Sequence, residues 1–238
     1  MYVDKTIKIR DEDQSDEIKA GKYFEFLVIK TKNRDGSEPA PILTATGKVA
    51  AITNHVKGQV DNFKAIYSQF KILETSKVLE VEIDGIKYKG ILDVLVEMSK
   101  IPAIRDIKVS GMIANKWEVG GWECLTGNGF AIPEKKHLDQ AKMYAWLWYE
   151  LTGEIVDFYF DIFSNTNPDD CKTIKIRFTE EAILGFREDT IGLAKMLVEE
   201  LKTGLKAIPE LQRCNKCPLS GDCKDRTYTP EIEEYFIS

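Results

Sequence analysis

The sequence predicts an α/β (α+β) fold in which a mixed central sheet is flanked by helices. Three observations point there. Residues 43–73 place apolar side chains at mixed three and four spacing, the helical period. From residue 77 the period drops to two, with Asp84-Gly85 at a hairpin turn. A further strand, a helix, two strands and a long amphipathic helix then follow, which is not the strict alternation of a doubly wound sheet.

Each element has a local reason. Residues 11–31 start polar and end apolar, as a helix packed at one end would. The stretch 32–41, KNRDGSEPAP, is a loop by its Gly, Pro, Asn and Asp. Val49, Ile52, Val56, Val60, Phe63, Ile66 and Phe70 carry the helical period of 43–73. Residues 77–97 read as two strands around the Asp-Gly turn, and 103–111, AIRDIKVSG, as a third. Residues 112–136 are irregular and rich in Gly and Trp. HLDQAKMYAWLWYELTG, 137–153, is a helix with a glycine stop. Strands are expected in EIVDFYFDIF and KTIKIRF, and a helix over 178–204 with acids in its first turn. The expected organisation is one domain over 1–210 and a cysteine-rich tail over 211–238 packed on it.

The 238 residues are enough to bury a substantial core, and the net charge is −6. An acidic total is not that of an obvious nucleic-acid binder, although a local basic groove can coexist with it. No apolar run approaches the roughly 18 residues that a membrane span needs, and MYVDKTIKIRDEDQSDE has no apolar signal core. A cytoplasmic protein is therefore expected. Five cysteines, an odd number, argue against a disulfide framework.

The chemistry concentrates in Gly90 to Gly111, GILDVLVEMSKIPAIRDIKVSG. Side chains alternate across a strand, so Asp106 and Lys108 share a face and Ile107 takes the other. If 86–96 and 103–109 pair as antiparallel neighbours, residues whose numbers sum to 199 face each other, and Asp93 stands opposite Asp106. Opposed Cβ atoms lie roughly 5 Å apart, and two carboxylates there repel unless a cation separates them. Hard divalent ions such as Mg2+ take such oxygens together with substrate phosphates. Set against this, Asp and Lys are common on the solvent face of a strand. Asp93, however, lies inside an apolar run, where a solvent-face charge is less expected.

Gly-Ile-Leu-Asp, a hairpin and then Asp-Ile-Lys resemble the active-site signature of the PD-(D/E)XK nuclease superfamily. Within it the chain is most similar to the RecB-like branch, which includes CRISPR-associated and phage recombination exonucleases. The resemblance implies a restriction-endonuclease-like fold and Mg2+ or Mn2+ held by Asp93, Asp106 and the Ile107 carbonyl. Lys108 would position water. That branch also carries Gln and Tyr one turn apart on the next helix, matched by Gln140 and Tyr144, which would hold the DNA strand. Its phage-type members have G-x-x-x-E in an early helix, matched by Gly21 to Glu25, which makes Glu25 a third carboxylate. His55 is the alternative at that point.

The implied activity is a metal-dependent DNA exonuclease on single strands or duplex ends, in recombination, repair or phage and CRISPR DNA processing. It would act in the cytoplasm, a host cytoplasm if the origin is phage. The partners are DNA and either a second copy or a recombination protein. The rival is a non-catalytic nuclease-like module that binds DNA ends. Cys214, Cys217 and Cys223, spaced C-x2-C-x5-C, resemble the cysteine trio of the branch's iron–sulfur members. There an upstream cysteine completes a [4Fe–4S] cluster. Residues 1–123 contain no cysteine, so the fourth ligand would be Cys124, Cys171 or a non-cysteine group. Zinc, or no metal at all, are the other readings. Trp117 and Trp122 are candidates for stacking on bases, Trp146 and Trp148 for helix core. Lys135, Lys136 and Lys142 are candidates for phosphate contact.

Overall fold

In the computed structural model, which describes residues 14–33, 35–111, 113–117 and 135–203, the first helix begins where a serine can cap it. The Ser15 hydroxyl accepts from the Ile18 N–H at 3.5 Å, with Asp16 and Glu17 in the first turn of α1, Asp16–Ile29. Lys30 ends the helix in the left-handed region at φ 62°. α1 buries Ala20, Tyr23, Phe24 and Ile29. The helix α2, Ala51–Tyr67, buries Thr53, Val56, Gln59, Phe63 and Tyr67, a three-and-four spacing that makes one face.

The sheet is mixed and five-stranded, in the order β1-β2-β3-β4-β5. β1, Lys71–Ile83, and β2, Ile86–Met98, form a long hairpin through Asp84 and Gly85, both at positive φ (51° and 74°). β2 turns into β3, Ile101–Ser110, through Ser99 and Lys100, which also take positive φ (52° and 71°). β3 then pairs in parallel with β4, Asp157–Ser164. A parallel neighbour needs a crossover. It contains the short α3, Ile113–Lys116, and α4, Lys135–Thr152, which stops at Gly153 with φ 72°. β5, Cys171–Ile176, closes the sheet antiparallel to β4, and α5, Glu180–Thr203, follows.

The expected class therefore holds: a mixed sheet flanked by helices. Two local expectations do not. Residues 43–50 are not helical; Leu43 bridges Val49 across a small turn at Gly47. Residues 71–73 belong to β1, not to the preceding helix, and the strand begins at 71 instead of 77, because Lys71, Ile72, Glu74 and Thr75 find ladder partners between Val94 and Glu97. Non-local pairing overrides a local helical pattern there.

One face of the sheet meets α1 and α2 through Val94, Val96, Ala103, Ile107, Tyr159 and Phe163. Phe24 sits on Phe163 with ring centroids 4.8 Å apart. α4 covers the other face. Its Ala141 and Ala145 are fully buried, and Trp146 meets Tyr88 edge-on at 5.0 Å. β2 serves both layers. Tyr88 and Gly90 face α4, whereas Val94 and Val96 join the α1–α2 core, so the strand changes layer around Asp93.

Residues 14–191 form one unit. A second unit includes residues 192–203 of α5; the expected boundary at 210 lies outside the described residues. Among the described residues no helix is long and apolar enough to cross a membrane.

Candidate active site

The antiparallel ladder between β2 and β3 runs from Met98↔Ile101 to Val94↔Arg105 and stops there. These pairs keep the register expected from the sequence. At the next position the strands part, and the Asp93 carboxylate takes over the bonding. Its Oδ2 accepts the Ile107 N–H at 2.8 Å. A main-chain donor in the middle of β3 is thus satisfied by a side chain from β2, which brings that carboxylate beside residues 106–108.

Asp106 is 1% exposed. Its Oδ1 accepts from Gln140 Nε2 at 3.2 Å, and its Oδ2 forms an ion pair with the Lys108 ammonium. Oδ2 is buried and has no hydrogen-bond partner beyond that ion pair. Burial raises the Asp106 pKa, with Lys108 working against the rise. Burial also pushes Asp93 well above the usual carboxylate range, and the charges of Asp106 and Glu25 push it further. Lys108 and the Ile107 N–H oppose that shift. For Lys108, burial alone would lower the pKa, but Asp106 and Asp93 outweigh it and the group stays cationic.

Glu25 arrives from α1. Gly21, one turn earlier, faces Val109 of β3, and a Cβ there would meet it at 3.9 Å, an ordinary contact, so the packing does not require glycine at this position. Burial raises Glu25 to about 7; Lys108 and Lys22 pull it down and Asp106 pushes it up. Glu25 therefore shares its electrostatic surroundings with Asp106 and Lys108. His55 lies on α2, with Nδ1 3.0 Å from the Asn165 carbonyl oxygen. Gln59 Nε2 on the same helix donates to the carbonyls of Ser164, Asn167 and Asp170, so this face of α2 holds the β4–β5 loop.

From α4, Gln140 Nε2 also donates to the Tyr144 hydroxyl at 3.0 Å, as their i, i+4 spacing allows. Tyr144 reaches the site because Gly90 leaves room. A Cβ at Gly90 would stand 2.8 Å from Tyr144 Cε1 and 3.1 Å from Leu147 Cδ1. Burial raises Tyr144 to about 12, with the Gln140 hydrogen bond opposing, so its hydroxyl is a donor at neutral pH.

The donor set suits a hard divalent cation. It consists of carboxylate oxygens whose mutual repulsion and burial raise their pKa values, one of them an Asp106 oxygen answered only by an ammonium. Among the described residues no three His, Cys, Asp or Glu side chains gather where they could hold a metal ion, so Asp93, Asp106 and Glu25 do not stand together as one ligand set. A cation held by two carboxylates and completed by substrate oxygens needs no third acid.

The other expected residues fall as follows. Trp117 is 4% exposed, and Trp146 and Trp148 are buried in α4. Lys142 lies over the Phe186 ring at 5.9 Å. Cys171 is a free, half-buried thiol at the start of β5. Cys124, Cys214, Cys217, Cys223 and Trp122 lie outside the described residues, as do the side chains of Lys135 and Lys136.

One charged assembly escaped the sequence reading. Arg105 donates through Nε to Asp161 Oδ2 at 2.7 Å and through Nη2 to Oδ1 at 2.6 Å. Tyr67 and Thr173 hydroxyls donate to the same carboxylate at 2.8 and 2.7 Å. The guanidinium lies among the rings of Phe70, Tyr159 and Tyr67 at 4.6, 4.7 and 5.3 Å. This network is on the opposite face of β3 from Asp106 and Lys108. Its signal was present in charges set inside the apolar runs AIRDIK and FYFDIF.

No family model matches this chain, and no curated protein matches it. Among solved structures it is similar to a Eubacterium rectale protein provisionally named an exonuclease. That match has a TM-score of 0.61 at 16% identity and covers 94% of this chain and 79% of the other. The structure of SSO0001 matches with a TM-score of 0.39 at 18% identity, over 74% of this chain and 69% of that one. The first match shows that the chain shares that protein's fold; the second carries no argument.

Proposed function

We propose that the chain is a divalent-metal-dependent nuclease that hydrolyses phosphodiester bonds of DNA, working from single-stranded or duplex ends. The observation that supports this most is the Asp93 carboxylate bonded to the Ile107 N–H, between Asp106 and Lys108. Two carboxylates and an ammonium converge there on one short stretch of β3.

Asp93 and Asp106, with the Ile107 carbonyl and Glu25 as further oxygen donors, would hold Mg2+ or Mn2+, which would supply Lewis-acid chemistry at the phosphate. The protein's own groups do the rest. Lys108 keeps its charge beside Asp106 and so presents a cation to the phosphate oxygens. The Tyr144 hydroxyl, protonated at neutral pH, and the Gln140 amide offer neutral donors that orient the strand. Their anchoring on α4 fixes them relative to β3, which is what positioning requires. Recombination, repair or phage DNA processing is the setting in which such an activity belongs. An iron–sulfur cluster at the C-terminal cysteines is a separate proposal, tested by visible absorbance of the anaerobic protein.

The nuclease reading is tested with end-labelled single strands and blunt duplexes, in Mg2+ or Mn2+ and in EDTA. The expected result is metal-dependent release of label, reduced at least about a hundredfold in Asp106→Asn, in line with the loss of a central charge-stabilising group. No release at high protein concentration leaves the DNA-end-binding reading ahead. Equal release by wild type and Asp106→Asn removes the site.

A further inference from the structure

We infer that Lys108 is the counter-ion of its own metal site: its ammonium stands on Asp106 Oδ2 until a divalent cation binds there, and then leaves it. This rests on the nuclease reading of the site and adds to it how the site is closed before metal arrives.

Both oxygens of the Asp106 carboxylate are engaged. Oδ1 accepts from Gln140 Nε2 at 3.2 Å, and Oδ2 carries the Lys108 ion pair. Oδ2 is shut off from solvent and has no hydrogen-bond partner besides that ammonium. Asp93 is engaged as well, since its Oδ2 accepts the Ile107 N–H at 2.8 Å. A second cation on Asp106 Oδ2 would face the ammonium across one buried oxygen, where little water screens the repulsion. The two therefore exclude each other, and a divalent ion has the larger attraction for a pair of carboxylates.

The other face of β3 shows what a locked cation looks like. The Arg105 side chain is 3% exposed, is held by two hydrogen bonds to Asp161, and lies among three aromatic rings. The Lys108 side chain is 19% exposed, so it has a path to solvent, and its ammonium sits on a flexible stem. The charges of Asp106 and Asp93 hold it there against the pull of burial. A divalent cation between those acids neutralises them and removes the hold. The ammonium keeps its charge and turns to the phosphate, the role assigned to it above. Linkage makes the exchange reciprocal: what Lys108 gains on Asp106 is lost from the affinity for metal.

The experiment titrates the metal-free protein with Mn2+, without DNA, and follows the paramagnetic resonance signal of the unbound ion. Lys108→Met should bind Mn2+ at least about tenfold more tightly than wild type, the scale of one charged hydrogen bond given up. Lys22→Met removes an equal charge near Glu25 but none from Asp106 Oδ2, and should stay within about threefold of wild type. In wild type, Mn2+ should raise the acetylation of the Lys108 amine by an activated ester several-fold, read by mass spectrometry. Lys64, paired with Asp61 at the surface, is the unchanged reference. Should Lys108→Met fail to fold, the labelling of wild type decides. Binding seen only in Lys108→Met is the same exchange at its limit and supports it. Equal affinity in folded Lys108→Met, equal tightening by Lys22→Met, or Lys108 labelling unmoved or lowered by bound Mn2+ overturns the exchange while leaving the nuclease reading standing. No Mn2+ binding by any folded protein of the set overturns both.

Discussion

Asp161→Ala tests the charged assembly behind the site. Asp161 is fully buried and Arg105 is 2% exposed, so the substitution leaves a guanidinium in the interior without its counter-ion. Breaking a buried pair in this way costs about 3–5 kcal/mol. The surrounding rings of Phe70, Tyr159 and Tyr67 return a part of that, on the order of 1–2 kcal/mol, by cation–π attraction. The Tyr67 hydroxyl loses its acceptor at a buried position, a loss of roughly 1–3 kcal/mol. Thr173 is exposed and turns to water instead. The net expectation is about 4 kcal/mol, a large share of the 5–15 kcal/mol that holds a typical domain together. Urea unfolding followed by circular dichroism reads it as a midpoint lowered by roughly 1.5–2 M at an ordinary slope. Replacing both partners, Arg105→Met with Asp161→Leu, should recover most of the loss, because no charge is then stranded. A single Asp161→Ala within about 1 kcal/mol of wild type, or a double variant no better than the single, would refute the reasoning.

Two further outcomes follow from the site itself. Glu25 is raised to about 7 in the folded protein, chiefly by burial, from an ordinary value of 4.5. The folded state therefore holds a proton across that window that the unfolded chain has released, and the stability this gives is present below it and lost as pH rises through it. The metal-free protein should lose at most about 3 kcal/mol from this group between pH 4.5 and 8, less for the water that reaches it. Thermal melts of wild type and Glu25→Gln should diverge over that range, and parallel curves would count against the buried carboxylate. Gly90→Ala should displace the Tyr144 ring, since its Cβ would stand 2.8 Å from Cε1, at a cost of roughly 1–3 kcal/mol. Adding Tyr144→Ala should return stability but not DNA cleavage; a Gly90→Ala protein with unchanged melting and activity would show that the notch is not needed.

The legible parts of this fold are those with a local cause. The Asp84-Gly85 turn, the glycine stop of α4 and the two paired strands that flank the Asp-Gly turn each follow from a few neighbouring residues, and each stands where expected. Residues 71–73 were misread because KIL carries no turn signal to end the helix, and the strand partners of Lys71 and Ile72 lie more than twenty residues away. The site was legible in part for the same reason. Asp106 and Lys108 share a face by alternation alone, and Gln140 and Tyr144 share one by helical spacing. The bond from Ile107 to Asp93 was not, because it depends on where two strands part. Nor was the Arg105–Asp161 pair, since nothing local says that β3 and β4 run side by side in parallel.

The two faces of β3 differ in how their charges close, and that difference carries the functional argument. On one face Arg105 and Asp161 balance each other and two hydroxyls complete the carboxylate, so nothing further is required. Around Asp106, among the described residues, the Lys108 ammonium faces Asp93 and Asp106, Lys22 joins it near Glu25, and burial raises all three carboxylates. A chain that only needed to bury polar groups would have closed this set as it closed the other. Left with surplus negative charge, the acids must either hold protons or accept a cation, and these alternatives respond oppositely to pH. Adding Mn2+ should raise the melting temperature more at pH 8 than at pH 5.5, because at the lower pH the metal must first displace protons. Equal shifts at both pH values, or none in wild type, would mean that these carboxylates hold their protons for structural reasons.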